Sequence, residues 1–188
     1  MPLVGRTKED ILEQANQIKQ SHRSSAIDMV ELRGDYLDIL SDYEQLDSLL
    51  AETAEILPEK VLLFTIRSEA EGGEKLAFTT PTIYDINQHV IGQAVADMVD
   101  IELFSGAEQA KALINLAKEK GVKIIMSNHD FQTTPDAATI VNRLRSMQDL
   151  GADVVKIAVM PENKMHVVNL LAATAMMQEA YAEVPVVT

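Results

Sequence analysis

Seven short apolar segments alternate with longer amphipathic segments along this chain. The apolar segments begin near residues 2, 29, 61, 98, 123, 153 and 184. They are rich in β-branched residues and nearly continuous in hydrophobicity, as in Val-Leu-Leu-Phe-Thr-Ile at 61–66. Such segments are typical of strands that are buried on both faces of a parallel sheet. Their spacing of roughly 30 residues is that of successive βα units.

The amphipathic segments repeat apolar residues at helical spacing, which predicts helices with one face towards a core. The predicted stripes are Ile11, Ala15 and Ile18; Ala110, Leu113, Ile114 and Ala117; Ile140, Leu144 and Met147; and Met165, Val168, Ala172, Ala175 and Met176.

Threonine and serine residues mark the expected helix starts. Thr7 can cap the first helix, and Ser105 followed by Glu108 fits a capping box. Thr80–Pro81 and Thr134–Pro135 each place a proline at the first helical position after a threonine cap.

Five consecutive predicted strands carry ionisable residues at or near their carboxyl ends. These residues are Glu31, Arg33, Arg67, Glu102, His129 and Lys156. Repeated βα units form either a (β/α)8 barrel or an open doubly wound sheet, and no Gly-x-Gly-x-x-Gly follows a strand to favour the dinucleotide-binding sheet. In a parallel barrel these strand ends meet at one mouth, where active sites lie. We therefore predict a single (β/α)8 TIM-barrel domain over residues 1–188.

The amino-acid composition excludes several classes of function. The chain has 16 Lys and Arg against 29 Asp and Glu, a net charge of −13, and so lacks the basic surface that nucleic acid requires. The absence of cysteine excludes disulfides and thiolate metal sites and fits a reducing compartment. No apolar run approaches the roughly 20 residues that span a bilayer, and no secretory apolar region is present at the amino terminus. We expect a cytoplasmic protein that binds neither nucleic acid nor membranes.

Lys156 is the most informative single residue. It lies between Val155 and Ile157 in an otherwise apolar strand, where an ammonium group is costly to desolvate. One interpretation is a lysine that reaches water at the strand end or pairs with a nearby glutamate. The other is a lysine that burial and Arg33 or Arg67 keep neutral, so that its amine can attack a carbonyl.

His129 follows a buried strand in Ser-Asn-His-Asp-Phe at 127–131, whereas the other three histidines fall in helical segments. By itself it is explained as a loop histidine; opposite an inward lysine it can act as a proton shuttle. The acidic segment 69–74 is either a flexible loop or the source of a carboxylate beside this histidine. Glu31 and Arg33 either bind substrate or form a buried ion pair. One histidine at the mouth and no cysteine give zinc little support, which favours metal-free covalent catalysis.

Five motifs in order resemble the type I 3-dehydroquinate dehydratase family. Glu-Leu-Arg-Gly-Asp at 31–35 is similar to its Glu-x-Arg-x-Asp motif, and Thr65–Arg67 with Glu71-Gly72-Gly73 is similar to its Thr-x-Arg…Glu-Gly-Gly segment. The other three are Asp-Ile-Glu-Leu at 100–103, residues 127–131 with Thr134–Pro135, and Ala-Asp-Val-Val-Lys-Ile-Ala at 152–158. The resemblance covers essentially the whole chain. Asn128 departs from it, because tyrosine is common there in the family.

The resemblance implies dehydration of 3-dehydroquinate to 3-dehydroshikimate, a step of the shikimate pathway towards aromatic amino acids. It implies that Lys156 forms an imine with the substrate ketone and that His129 is the general acid/base, with Glu71 as its partner. It also implies that Glu31, Arg33 and Arg67 hold the substrate and that the protein is a homodimer. This chemistry needs neither an organic cofactor nor a metal.

Two alternatives stay open. A class I aldolase-type barrel would also use a lysine imine, and a barrel that binds without turnover would act only as a scaffold. The Glu-Gly-Gly and His-Asp-Phe motifs and the Glu–Arg pair favour the dehydratase over the aldolase.

Length sets a further expectation. Eight units need about 240–250 residues, so we expect 188 residues to form six βα units and a seventh strand, a barrel incomplete at its carboxyl end. In the family, an arginine for the substrate carboxylate and a loop with serine and glutamine follow the seventh strand. A chain without them would expose strand edges and apolar helix surface.

Overall fold

Seven parallel strands form one sheet in the order in which they occur along the chain. The computed structural model describes all 188 residues, and its sheet curves into a half-barrel with helices on the outside. The strands are β1 (Pro2–Leu3), β2 (Met29–Arg33), β3 (Val61–Thr65), β4 (Met98–Glu102), β5 (Lys123–Asp130), β6 (Val154–Val159) and β7 (Val186–Val187). A doubly wound sheet reverses its strand order, and this sheet does not. The barrel prediction is confirmed over these seven strands.

One helix connects each strand to the next. The helices are α1 (Lys8–Gln20), α2 (Tyr43–Ile56), α3 (Ile83–Gln93), α4 (Ala107–Lys120), α5 (Ala137–Leu150) and α6 (Lys164–Met176), the last continuing through a π-helical turn at Met177–Tyr181. None of the six is long and apolar enough to cross a lipid bilayer. Short 3-10 turns follow β2, β3 and β4 at Gly34–Tyr36, Glu69–Glu71 and Leu103–Ser105.

The main core lies between the sheet and the helices. Its 37 buried residues include the predicted stripes of α1, α4 and α5. Each of these helices is apolar on one face only, and that face packs towards the sheet. Ile11 and Leu144, for example, are both 0% exposed.

The predicted stripe on α6 is not buried. Met165 is 62%, Val168 49% and Met176 43% exposed, and Ala172 and Ala175 are exposed as well. Ala173 is the buried residue of this helix. The expectation of a core-facing stripe is wrong for this helix, since its packed side is the one that meets α5.

Two helix starts that resemble each other in sequence differ in structure. Thr7 caps α1 as predicted: its hydroxyl accepts from the Asp10 N–H at 3.2 Å, and the Asp10 carboxylate accepts from the Thr7 N–H at 3.0 Å. The prediction for Ser105 is wrong, because α4 has Gly106 at its cap position and no side-chain cap. The Ser105 hydroxyl donates instead to the Glu102 carbonyl at 2.7 Å, within the preceding 3-10 turn.

The two Thr-Pro starts are also wrong, each by two residues. Thr82 rather than Thr80–Pro81 caps α3. Asp136 rather than Thr134–Pro135 caps α5, accepting from Thr139 N–H at 2.7 Å. The Thr134 hydroxyl is engaged elsewhere, as it donates to the carbonyl of Met160 at 2.9 Å.

Candidate active site

The interior face of the sheet changes from apolar to charged along the strands. At its amino end, Leu63, Met98 and Ile125 form a small buried cluster. Alternate residues of a strand share a face, so the residues that follow on this face are polar or charged. They are Thr65 on β3 and Arg67 just after it, Asp100 and Glu102 on β4, Ser127 and His129 on β5, and Lys156 on β6.

Arg67 is the centre of a buried polar network, with 5% of its surface exposed. Its Nη2 donates to Asp100 Oδ2 at 2.9 Å, and its Nη1 donates to Glu102 Oε1 at 3.0 Å and to Ser127 Oγ at 2.8 Å. Ser127 in turn donates to Asp100 Oδ1 at 2.6 Å. Burial acts to lower the pKa of Arg67, but Asp100, Glu102 and Glu71 outweigh burial and raise this pKa above its ordinary value.

Glu71 and His129 form the pair that the family resemblance implies. Glu71 is 6% exposed, and its Oε2 accepts from the backbone N–H of His129 at 2.9 Å and lies 3.0 Å from His129 Nδ1. Arg67 Nη1 lies 3.6 Å from the same oxygen. A carboxylate on Nδ1 fixes the ring orientation and leaves Nε2 as the nitrogen for proton transfer.

The segment that carries Glu71 is folded back onto the end of β3. Ser68 caps its 3-10 turn, and the Ser68 hydroxyl accepts from the Glu71 N–H at 3.3 Å. Gly72 has a φ of 84°, and a Cβ there would lie 2.4 Å from the Phe131 ring. A Cβ on Gly73 would lie 2.0 Å from the Arg67 carbonyl oxygen. The two glycines are therefore sterically required, and the interpretation of a flexible acidic loop is wrong for Glu71.

Glu31 and Arg33 share a strand but do not pair with each other. Glu31 Oε1 accepts from the Thr65 hydroxyl at 2.9 Å. Arg33 forms two bonds to Asp35, from Nε to Oδ1 at 2.9 Å and from Nη2 to Oδ2 at 2.8 Å. These bonds raise the pKa of Arg33 above its ordinary value. The buried Glu31–Arg33 ion pair, one of the two interpretations of these residues, is wrong.

Asp35 connects two segments around the mouth. Besides holding Arg33, it accepts from the backbone N–H of Arg67 at 3.2 Å and of Glu74 at 3.1 Å. Burial acts to raise the pKa of Asp35, but the Arg33 contact and these backbone bonds outweigh it and lower the pKa. Asp35 therefore stays charged and keeps Arg33 beside the segment that carries Glu71.

Lys156 lies at the other side of the network. It is partly buried between Val155 and Ile157, and the strand register places it beside Ser127 on β5 and Val187 on β7. No carboxylate lies within ion-pair distance of its amine, so the interpretation of a lysine paired with glutamate is wrong. The structure thus brings Lys156 next to the Arg67 network without making it a member.

A cavity of about 930 Å³ opens beside the Glu71–His129 pair. Asp100 and Glu102 also line it, and it extends outward to α3 and α4. Glu31, Arg33 and Lys156 are not among its lining residues. The cavity therefore lies on the histidine side of the mouth and continues into the helix layer, where Asn128 and Arg143 also line it.

Several polar residues of the site were given no role in the sequence analysis, among them Ser127, Asp35, Asn128 and Arg143. Ser127 lies two residues before His129 on the same strand, so alternation could have placed it on the same face. Asp35 is the last residue of the Glu-x-Arg-x-Asp motif. Asn128 and Arg143 carry no such signal, because their contacts join β5 to the face of a helix.

Comparison with known proteins gives the family. A sequence model described as type I 3-dehydroquinase matches residues 1–188. The chain belongs to this family. It is 43% identical over 186 residues to the 3-dehydroquinate dehydratase of Salmonella typhimurium and 43% identical over 188 residues to that of Bacillus licheniformis. These matches cover 99% and 100% of the chain, and in each case 72% of the relative.

Solved structures of the type I 3-dehydroquinase family show the same fold. The enzyme from Enterococcus faecalis aligns with a TM-score of 0.93 at 40% identity, over 100% of this chain and 76% of its own. The enzyme from Clostridium difficile, with covalently modified comenic acid, aligns with a TM-score of 0.91 at 39% identity, over 98% and 71%. Family membership makes the chain an enzyme of the hydro-lyase class.

Proposed function

We propose that this chain removes water from 3-dehydroquinate to give 3-dehydroshikimate through an imine on Lys156. The observation that carries the proposal is the buried Glu71–His129 pair on the same sheet face as a lysine without an ion-pair partner. The family assignment supports the reaction, and the covalent ligand of the Clostridium difficile enzyme supports covalent chemistry in such sites.

The lysine supplies an electron sink. The neutral amine of Lys156 attacks the substrate ketone, and the carbonyl oxygen leaves as water when the protonated imine forms. The adjacent C–H bond is then more acidic, because its electron pair can move into the imine and form an enamine.

His129 moves the proton. Its Nε2 takes the proton from the carbon next to the imine, and the enamine then expels the hydroxyl group on the following carbon as water, with the same proton. One histidine serves both steps if the proton and hydroxyl leave from the same ring face. Glu71 stabilises the imidazolium between the two steps, and such acid–base catalysis typically contributes about 10²–10⁴ in rate. Hydrolysis of the product imine restores Lys156.

Three further residues hold the substrate in this proposal. Glu31 and Arg33 lie at the end of β2, and Asp35 occupies Nε and Nη2 of Arg33, which leaves Nη1 for a substrate oxygen. Arg67 holds the substrate from the floor of the site. Its guanidinium is already oriented by ion pairs with Asp100 and Glu102. The reaction uses no metal and no organic cofactor. The proposal includes a homodimer, a place in the shikimate pathway and a cytoplasmic location.

Borohydride trapping tests the proposal. With 3-dehydroquinate present, reduction of the imine should add the substrate skeleton to the peptide that contains residue 156, and mass spectrometry locates it. Without borohydride, the conjugated enone product should appear in the ultraviolet. Lys156→Met should lose both signals, whereas Lys123→Met should keep both, since Lys123 is an exposed partner of Asp153.

Three outcomes would contradict the proposal. An adduct on another residue would remove Lys156 from the mechanism, and a cleaved carbon skeleton would indicate an aldolase. A wild-type chain that forms neither adduct nor enone would be a scaffold rather than a dehydratase.

A further inference from the structure

Glu71 is held from two sides. Its Oε2 contacts His129, while its Oε1 accepts a hydrogen bond of 3.0 Å from Nδ2 of Asn128. Asn128 precedes His129 on β5, so the two side chains leave the strand on opposite faces. Asn128 is 3% exposed and Glu71 is 6% exposed. The second contact therefore reaches the Glu71–His129 pair from the helix side of the sheet, through buried groups.

Arg143 determines the orientation of the Asn128 amide. Its Nη1, on α5, donates to Asn128 Oδ1 at 2.9 Å. The oxygen and the nitrogen of an amide have nearly the same size, so shape alone does not set its orientation. The reversed amide would place Nδ2 against the guanidinium donor and Oδ1 against Glu71 Oε1. Both contacts would then be unfavourable, because a donor would face a donor and an acceptor would face a carboxylate.

Arg143 is itself held by two other groups. Its guanidinium lies over the Phe104 ring at 5.5 Å and has Nη1 3.8 Å from Asp130 Oδ2. The side chain is 24% exposed. The chain of contacts thus begins at an anchored, charged group in the helix layer and ends at the imidazole.

We propose that Arg143 and Asn128 are positioning residues for the Glu71–His129 pair. Arg143 sets the Asn128 amide, Asn128 holds Oε1 of Glu71, and the carboxylate is thereby turned so that Oε2 meets His129 Nδ1. The inference rests on the proposed function, in which His129 moves the proton. A catalytic group displaced by 1 Å can cost about 10²-fold in rate, so the loss of either contact reduces turnover without removing a group that touches substrate.

The test uses four variants of the full chain. They are Asn128→Leu, Arg143→Met, the double variant, and Arg145→Met as control. Arg145 lies on the same helix with its guanidinium 4.5 Å from the Tyr181 ring centroid, but it has no contact with Asn128. The readouts are kcat and KM for 3-dehydroquinate, and the ¹⁵N–¹H resonance of the His129 imidazole without substrate, with thermal unfolding to verify the fold.

The expected result is a loss of kcat with little change in KM. Asn128→Leu should lower kcat by about 10–100-fold, consistent with misplacement of the acid–base pair, and should shift or broaden the His129 Nδ1–H signal. Arg143→Met should show a smaller loss of the same kind. The double variant should match Asn128→Leu alone, because Arg143 acts through Asn128. Arg145→Met should match the wild type in all readouts.

Three results would overturn the inference. The first is a double variant whose loss equals the product of the two single losses. The second is an unchanged imidazole resonance in folded Arg143→Met, a milder change that keeps the test valid if Asn128→Leu does not fold. The third is an equal loss in Arg145→Met, which would indicate a general effect on α5. A wild type without turnover would contradict the proposed function alone, since the resonance still reports whether Asn128 and Arg143 orient the pair.

Discussion

Adjacent helices α5 and α6 show how far an apolar pattern determines burial. On α5, Leu144 and Met147 are 0% exposed. On α6, Met165 is 62% and Leu171 is 64% exposed. The α5 pattern is one-sided, whereas α6 is apolar on nearly every side, as is usual for helices packed between other elements. Here α6 packs against α5 and its opposite face is exposed, so the same kind of residue has a different environment in the two helices.

The two cations of the site, Arg67 and Lys156, also differ in their surroundings. Between β2 and β5, Arg67 has three carboxylates within 4 Å. On β6, Lys156 has Ser127 and Val187 as its strand neighbours and no ion pair. A cation enclosed by carboxylates is suited to orient other groups. A lysine without them is suited to attack a carbonyl, so the difference in surroundings matches the difference in proposed roles.

The largest expected effect tests this contrast between the two cations. Arg67→Met leaves the buried Asp100 and Glu71 and the partly buried Glu102 without their counter-charge, and it should lower the free energy of unfolding by about 3–5 kcal/mol. Lys156→Met breaks no ion pair and should change it by less than about 0.5 kcal/mol. Urea unfolding at pH 7 measures both. Equal losses would show that Lys156 is also part of the network.

The pH dependence of the same variant gives a second check. Without the guanidinium, the facing carboxylates repel one another in the folded state and bind protons more readily than in the unfolded chain. Folding then takes up protons, so lowering the pH favours the folded variant. The stability loss of Arg67→Met should therefore be smaller at pH 5 than at pH 7. A loss that grows on acidification would mean that the carboxylates are not the cause.

The next effect compares the two helices directly. Leu144→Ala opens a cavity in the core and should cost about 2–5 kcal/mol. Leu171→Ala removes the same atoms from an exposed position and should stay within about 0.5 kcal/mol. Urea unfolding of the two variants at pH 7 measures the difference. If Leu171→Ala costs as much as Leu144→Ala, the face of α6 turned away from α5 is covered in solution.

The sequence predicted the fold well because buried parallel strands leave a strong signal. All seven segments became strands, since their apolar residues are needed on both faces. The caps at Thr80–Pro81 and Thr134–Pro135 were wrong because a threonine before proline is a local signal, while the actual start depends on where the chain leaves the strand. Burial of α6 was wrong for a related reason: a stripe indicates which face can pack, and the neighbouring elements determine whether it does.

The candidate site was likewise predicted only in part. Six of its ionisable residues were predicted from their places at strand ends, where topology alone brings them together: Glu31, Arg33, Arg67, Glu102, His129 and Lys156. The contacts of Asn128 were not, because they join residues 57 and 15 positions apart. Arg143 looks like an ordinary charge on a helix surface, and nothing in its local sequence shows that it faces β5.

The smallest expected effect concerns the N-terminal caps of α5 and α6. Both helices have a side-chain cap, although they differ in how far their apolar residues are buried. Asp136 caps α5 by accepting from Thr139 N–H at 2.7 Å, and Asn163 caps α6 by accepting from His166 N–H at 3.1 Å. A cap bond is local and does not depend on the exposure of the opposite helix face, so replacing either residue by alanine should cost about 1 kcal/mol. Urea unfolding followed by circular dichroism measures both losses. If Asp136→Ala shows its loss and Asn163→Ala shows none, α6 unfolds before the rest of the barrel, and its exposed face is then a mark of local instability.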